Sequence, residues 1–514
     1  MSRVLGTETE YGISTPSNPA LSPIVTSTHA VVAYAALNTG ARSRWDFREE
    51  HPLRDSRGFD LKRYHTVPVV DPNALGVANV VTANGARFYV DHAHPEYSSP
   101  ECTNAWDGML YDAAGDVILR RAAEAVAQLT AQGTSVLDGH DPCPALKFYK
   151  NNVDGKGASY GSHENYQYSR ATDFDAIAQG LIPFFVARQV VTGAGRVGLG
   201  ADGEEPGFQI SQRADYIETE ISLETTLNRG IINTRDEPHA VAEDFGRLHV
   251  IIGDATMSHT STLLKLGMTS LVLDAIEAGV DFSDLRLADP VAEVQRVSRD
   301  ATLTHELLLH DGHKLTALGL LAAYRERVTA TTPEDEKVLA AWDEVVELLG
   351  QEPLKAAHLL DWVAKYRLIK GYLDRGVAAG DPKLALIDLQ YTDIDPAKSL
   401  YHALVRKGQM RTLVSAQEIE DAADVPPRDT RAFLRGQATR KFGEDVLAAS
   451  WQSLTFRIGP ADGAASGTAW VALDDTRAMG QAEVAELLDS SATAADFVAG
   501  LRELGLRVEY PTLY

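Results

Sequence analysis

The residues that could do chemistry fall in a few short strings, the first being Gly6-Thr7-Glu8-Thr9-Glu10-Tyr11-Gly12. On a strand, alternate side chains face the same way, so Glu8 and Glu10 share one face with their carboxylates roughly 7 Å apart. Carboxylates so placed repel unless a cation lies between them, and Mg²⁺ takes oxygen ligands while leaving room for phosphates. Arg87-Phe88-Tyr89-Val90-Asp91 repeats the alternation. It sends Phe88 and Val90 to a core and Arg87, Tyr89 and Asp91 to a polar face. After Asp91, the turn His92-Ala93-His94-Pro95-Glu96-Tyr97 brings in a further carboxylate. A solvated strand face would show the same pattern, but the two strands together hold enough oxygen ligands for a metal–phosphate site.

Other strings add nitrogen and cationic groups. In Ser159–Tyr166, His163 and Asn165 alternate onto one face; in Arg247–Asp254, so do Arg247 and His249. An arginine beside a metal ligand suits phosphate, because its fork geometry matches phosphate oxygens. The loop Asn233-Thr234-Arg235-Asp236-Glu237-Pro238-His239 reads as a turn or cleft rim that places Arg235 near developing negative charge. Arg431 and Arg435, four apart on an expected helix, read as a basic helix face that could engage an acidic partner. No P-loop, dinucleotide fingerprint or nucleophile elbow occurs. Residue chemistry alone therefore stops at an Mg–nucleotide enzyme acting at a carboxyl or amide centre.

The elements that must position these groups are legible in outline. Residues 4–13 read as a strand, and runs at 79–83 and 87–91 form a hairpin about the turn Asn84-Gly85. A helix spans 105–132, with Gly115 weakening its start. Residues 146–151 and 159–170 look like a strand pair around Asp154-Gly155-Lys156-Gly157. Further strands are expected at 208–213, 217–223 and 247–252, a helix at 262–278, and mostly helix over 300–380. After the break at Pro426-Pro427, strands at 451–458 and 469–473 precede a helix at 481–488. A polar stretch at about 38–72 carries no apolar period and reads as a surface insertion. Strands dispersed among helices with hairpin connections predict an α+β fold.

The composition bounds the rest. With 514 residues, 44% of them apolar and 23% charged, the chain is large enough for one big core and an extra domain. The net charge of −24 argues against nucleic-acid binding. The opening residues show no secretory signal and no run approaches a membrane span, so a cytoplasmic protein is expected. Cys102 and Cys143 form neither a disulfide framework nor a zinc pattern.

Taken in order, GTETEYG, NGARFYVDHAHPEYSSPEC, YKNNVDGKGASYGSHENY, SQRADYI, INTRDEPHA, RLHVIIGD and PPRDTRAFLRG resemble the Pup ligase/deamidase family, relatives of glutamine synthetase and γ-glutamyl-cysteine ligase. The resemblance covers nearly the whole chain. It implies a glutamine synthetase-like antiparallel sheet cradle backed by helices over residues 1–429, and a small C-terminal α/β domain over 430–514. Of the family's two activities, the insertion and the wording DHAHPEYSSPEC, where ligases read more like DVGSHPEYATPEC, resemble the branch that hydrolyses amide bonds at the C-terminus of Pup. The resemblance implies ATP and Mg²⁺ as cofactors, Pup and pupylated proteins as partners, and a monomer. It implies Glu8, Tyr89 and Glu96 as ligands of one Mg²⁺ and Glu10, His163 and His249 as ligands of a second. Arg87, Ser98, Ser99, Asn165, Arg247 and Trp451 would contact ATP, Arg235 would sit near the cleaved group, and Asp91 would be the catalytic aspartate.

Overall fold

The computed structural model describes residues 3–39, 44–50, 53–58, 74–154, 156–459 and 467–510. Most of the expected insertion, and Gly155 of the Asp154–Gly157 loop, lie outside them. The centre of the molecule is a six-stranded sheet built from β1 (Leu5–Glu10), β2 (Asn79–Val81), β3 (Arg87–Asp91), β4 (His94–Ser98), β5 (Ser162–Ser169) and β6 (Phe245–Val250). Its order is β6-β5-β1-β4-β3-β2, with every neighbouring pair antiparallel. Alternation sorts the two faces. Leu5, Thr7, Phe88, Val90, Tyr97, Tyr166 and Leu248 are buried on one, while the polar groups expected to act lie on the other.

The apolar face rests on the helix Pro23–Tyr34, α1 (Ala105–Ala131) and α3 (His259–Glu277), and α2 (Phe174–Thr192) packs against α3. Asn104 caps α1 by accepting the Asp107 amide at 2.8 Å, and Ser258 caps α3 by accepting that of Ser261. Gly115 does not end α1. A Cβ there would lie 2.5 Å from the Tyr97 ring, so glycine is what lets the helix approach the sheet. Buried charges stitch the layers together: Arg188 of α2 forks onto Glu164 of β5 at 2.6 and 2.8 Å, and Lys150 meets Asp112 of α1 at 2.8 Å. Asp112 also accepts the Thr7 hydroxyl at 3.0 Å, tying β1 to α1.

Three sequence expectations are corrected. The stretch 4–13 is two strands: after β1 the chain breaks at Tyr11, and Gly12–Ser14 pairs with Lys147–Tyr149 instead. Residues 146–151 and 159–170 accordingly do not pair with each other, since β5 is drawn between β1 and β6, where its alternating tyrosines are buried. And α2 does reach the length and apolar composition of a membrane span, but 78% of that window is buried inside the protein. It is apolar all round because it is the central helix of the core.

A second apolar core gathers Phe433, Leu434, Leu454, Phe456, Val471, Val484 and Phe497 with Trp45 and Val81. It holds helix α4 (Ala432–Phe442) and a five-stranded sheet in the order Val508–Glu509, Thr468–Ala472, Ser453–Arg457, Val446–Ala449, Arg44–Trp45. The last strand comes from the expected insertion and pairs in parallel with Val446–Ala449, so Arg44–Trp45 forms an edge of that sheet.

Candidate active site

Register brings the polar groups together. Glu8 lies opposite His163 on one side and Ser98 on the other; Glu10 lies opposite Glu96, Glu96 opposite Tyr89, and Asn165 opposite His249. Two sets of ligand atoms result, each within 4.8 Å: Glu8, His163 and His249, and Glu10, Asp91 and Glu96. The first mixes a carboxylate with two imidazoles, whereas the second is all carboxylate. This grouping differs from the one the family resemblance implies. Glu10 falls with Glu96 because they are cross-strand partners, and the Tyr89 hydroxyl hydrogen-bonds the Glu96 carboxylate while Ser98 Oγ lies 3.5 Å from that hydroxyl.

The electrostatics call for cations. Burial pushes the Glu96 carboxyl well up, and the charges of Asp91, Glu10 and Glu8 add to the effect. Burial would raise Glu8 too, but its hydrogen bond with His163 and the charges of His249 and Arg247 hold it well below the usual range. His249 is driven down by burial and by Arg247, and its buried Nε2 has no hydrogen-bond partner among the described residues. A carboxylate trio that repels itself and a neutral imidazole with an orphaned nitrogen fit divalent-cation ligands. Gly161 completes the second set: its amide donates to Glu10 Oε1 at 2.7 Å, and a Cβ there would lie 2.4 Å from His163 Nε2.

Asp91 ends β3 at the hairpin tip, partly open to solvent, with His92 Nδ1 3.0 Å from its carboxylate. Burial would raise the Asp91 carboxyl, but the His92 hydrogen bond and charge bring it down, and Asp91 in turn lifts His92 to about 8. Arg235 sits on a loop whose backbone is bridged to Asp55 of the insertion, where Ser56 donates to the Thr234 carbonyl at 2.8 Å and Thr234 Oγ1 donates to Asp55 at 2.6 Å. Its Nε is 3.9 Å from Glu237.

Beside the Glu8 set, a cleft is lined by Gly6, Ser98, Ser99, Asn165, Arg247 and Trp451, among others. Asn165 donates to Glu8 at 3.1 Å and accepts from Arg247 at 2.6 Å. Ser99 Oγ is already engaged, accepting the Thr7 amide at 2.9 Å and donating to the Pro100 carbonyl at 3.2 Å. Arg87 does not line this cleft. Its guanidinium lies between the rings of Trp45 and Tyr89, 3.9 and 3.8 Å from their centroids, and its Nε donates to Asn79.

Arg431 and Arg435 are not an exposed basic face; both are 1% exposed and hold Glu101. Sequence reasoning also passed over His94, whose Nδ1 is 3.1 Å from Glu10, although its alternation with Glu96 marked it. Trp45, which packs on Trp451 with centroids 5.5 Å apart, carried no such mark in its polar surroundings.

A family model described as "Pup-ligase protein" matches residues 3–455. The chain is 51% identical to a Pup deamidase/depupylase of Mycolicibacterium smegmatis, with 98% of this chain and 100% of that one covered. Against a Pup–protein ligase of Paenarthrobacter aurescens it is 39% identical, with 71% of this chain and 81% of that one covered. The fold is similar to that of the Pup ligase PafA solved in complex with Pup (TM-score 0.76, 30% identity, 98% of this chain and 94% of that one). It is also similar to PafA in complex with ADP (TM-score 0.70, 32% identity, 84% and 96%). The chain belongs to the Pup ligase family.

Proposed function

We propose that this chain deamidates the C-terminal Gln of Pup to Glu and hydrolyses the isopeptide bond between Pup and substrate lysines, with Mg–ATP as cofactor. The observation that carries this reading is the end-to-end match to a Pup deamidase/depupylase, where the match to a ligase stops at 71% of the chain. Deamidation and isopeptide cleavage share one γ-acyl centre: water adds its oxygen to the carbonyl carbon, and ammonia or the lysine amine leaves with a proton. One site therefore serves both.

Glu10 and Glu96 would hold one Mg²⁺ and Glu8, His163 and His249 a second, with Tyr89 beside Glu96; when bound, such ions supply charge stabilisation to phosphates and to a developing oxyanion. Asn165, Arg247, Ser98 and Trp451 would seat the nucleotide in the cleft they line, and Ser99 would act by fixing the turn. Arg87, sandwiched between rings, would support Tyr89 rather than meet phosphate. Asp91 is the base of the acyl step: solvent reaches its carboxylate, which takes a proton from the attacking group. Arg235 would face the developing oxyanion, an interaction often worth about 3–4 kcal/mol. Incubating the protein with Pup ending in Gln and Mg–ATP tests the reading. Ammonia release is expected; no ammonia, together with conjugates formed as ATP is consumed when Pup ending in Glu and a lysine protein are supplied instead, would identify a ligase.

A further inference from the structure

Glu101 follows the turn after β4 and lines the cleft together with Arg431, Trp451 and Thr476 from the C-terminal portion. Its carboxylate accepts Arg431 Nε at 2.9 Å and both terminal nitrogens of Arg435, one of them at 3.1 Å. Its main-chain oxygen accepts the Thr430 hydroxyl at 2.9 Å. Each arginine continues past the carboxylate. Arg431 donates to the carbonyls of His239 and Leu473, both at 2.6 Å, and Arg435 donates to that of Gly85 at 2.8 Å, with its guanidinium 4.8 Å from the Trp451 ring centroid. One carboxylate thus fixes two cations, which in turn fix the His239 loop, the β2–β3 turn and Trp451. His239 and Trp451 are cleft walls, whereas Glu101 lies outside both ligand sets.

Removing one partner of a buried ion pair leaves uncompensated charge that the surroundings must rearrange to relieve. Here the uncompensated groups would be two adjacent guanidiniums, and the parts free to move are the cleft walls. We infer that Glu101 is a positioning residue for the nucleotide: through Arg431 and Arg435 it sets His239 and Trp451, and with them nucleotide affinity. This rests on the proposal that the cleft binds nucleotide. Because the coupling is reciprocal, nucleotide binding also favours the docked C-terminal domain.

Titration calorimetry of Mg–ADP into the full chain tests it, comparing the unmodified protein with Glu101→Gln and Glu420→Gln. Glu420 also pairs with two arginines, Arg120 at 2.7 Å and Arg121 at 3.3 Å, away from the cleft, and so controls for loss of any such cluster. The expected result is affinity at least tenfold weaker for Glu101→Gln and within twofold for Glu420→Gln. ADP binding by Glu101→Gln within twofold of the parent, or tighter, overturns the inference, as does equal weakening in Glu420→Gln. If Glu101→Gln does not fold, Glu101→Asp, which keeps the charge on a shorter arm, replaces it with at least threefold weakening expected and a change under twofold contradicting. Failure of the unmodified protein to bind ADP would overturn the nucleotide reading itself.

Discussion

Asp91, Glu10 and Glu96 show how few residues the site turns on. Their carboxylate atoms lie within 4.8 Å of one another, and Glu96 is raised by its own burial and by its neighbours' charge. Asp91→Asn keeps the shape but removes the proposed base, so the deamidation rate should fall by about 100-fold or more, with ADP affinity changed little; steady-state rates and ADP titration check both halves. Glu96→Gln removes a proposed ligand and relieves the repulsion at once. It should raise the Mg²⁺ concentration needed for half-maximal activity about tenfold, in line with the cost of losing a metal partner, and chelation by EDTA should abolish activity reversibly. A magnesium titration of the variant that matched the parent would remove Glu96 from the ligand set. Much at this scale was legible in the sequence. Alternation alone separated Phe88 and Val90 from Arg87, Tyr89 and Asp91, and it put Glu8 with Glu10. Which carboxylate joins which imidazole was not legible, because that depends on cross-strand register.

At the scale of elements, what the sequence hid was partners rather than strands. β5 was visible by its alternation, but its neighbours are β1 and β6, and β1 lies more than 150 positions away. Arg431 and Arg435 looked like a solvated helix face because the carboxylate that buries them is Glu101, 330 and 334 positions earlier. The polar insertion had no apolar period, yet Trp45 joins the C-terminal core and Asp55 grips the loop bearing Arg235. Gly115 read as a weak point in α1; packing against Tyr97 gives it a reason. Gly115→Ala should therefore destabilise the chain despite alanine's better helix propensity, by about 1–3 kcal/mol as expected for overpacking. A denaturation midpoint equal to or above the parent's would show that the helix can move away from the sheet at no cost.

For the molecule as a whole, the second apolar core is tied to the central sheet through the buried Glu101–Arg431–Arg435 cluster, which makes that attachment sensitive to pH. The two arginines hold Glu101 down to about 2, against burial, from an ordinary value of 4.5. A group depressed on folding contributes its stability in full above its unfolded pKa and loses it as pH falls toward the folded value. The contribution, about 3 kcal/mol from the size of the shift, should thus be present above about pH 4.5 and decline between pH 4.5 and 2. The melting-temperature difference between parent and Glu101→Gln should narrow over that window and stay constant from pH 5 to 7; a constant difference across the whole range would show that the carboxylate does not carry the docking. The central claim, that this fold is used here to break bonds to Pup, is tested most directly on a Pup–lysine conjugate. Incubated with Mg–ATP, the protein should release free Pup ending in Glu and the intact lysine protein, as read by intact mass, and Asp91→Asn should not. A conjugate left whole, or one that accumulates from free Pup and substrate as ATP is consumed, would contradict the account.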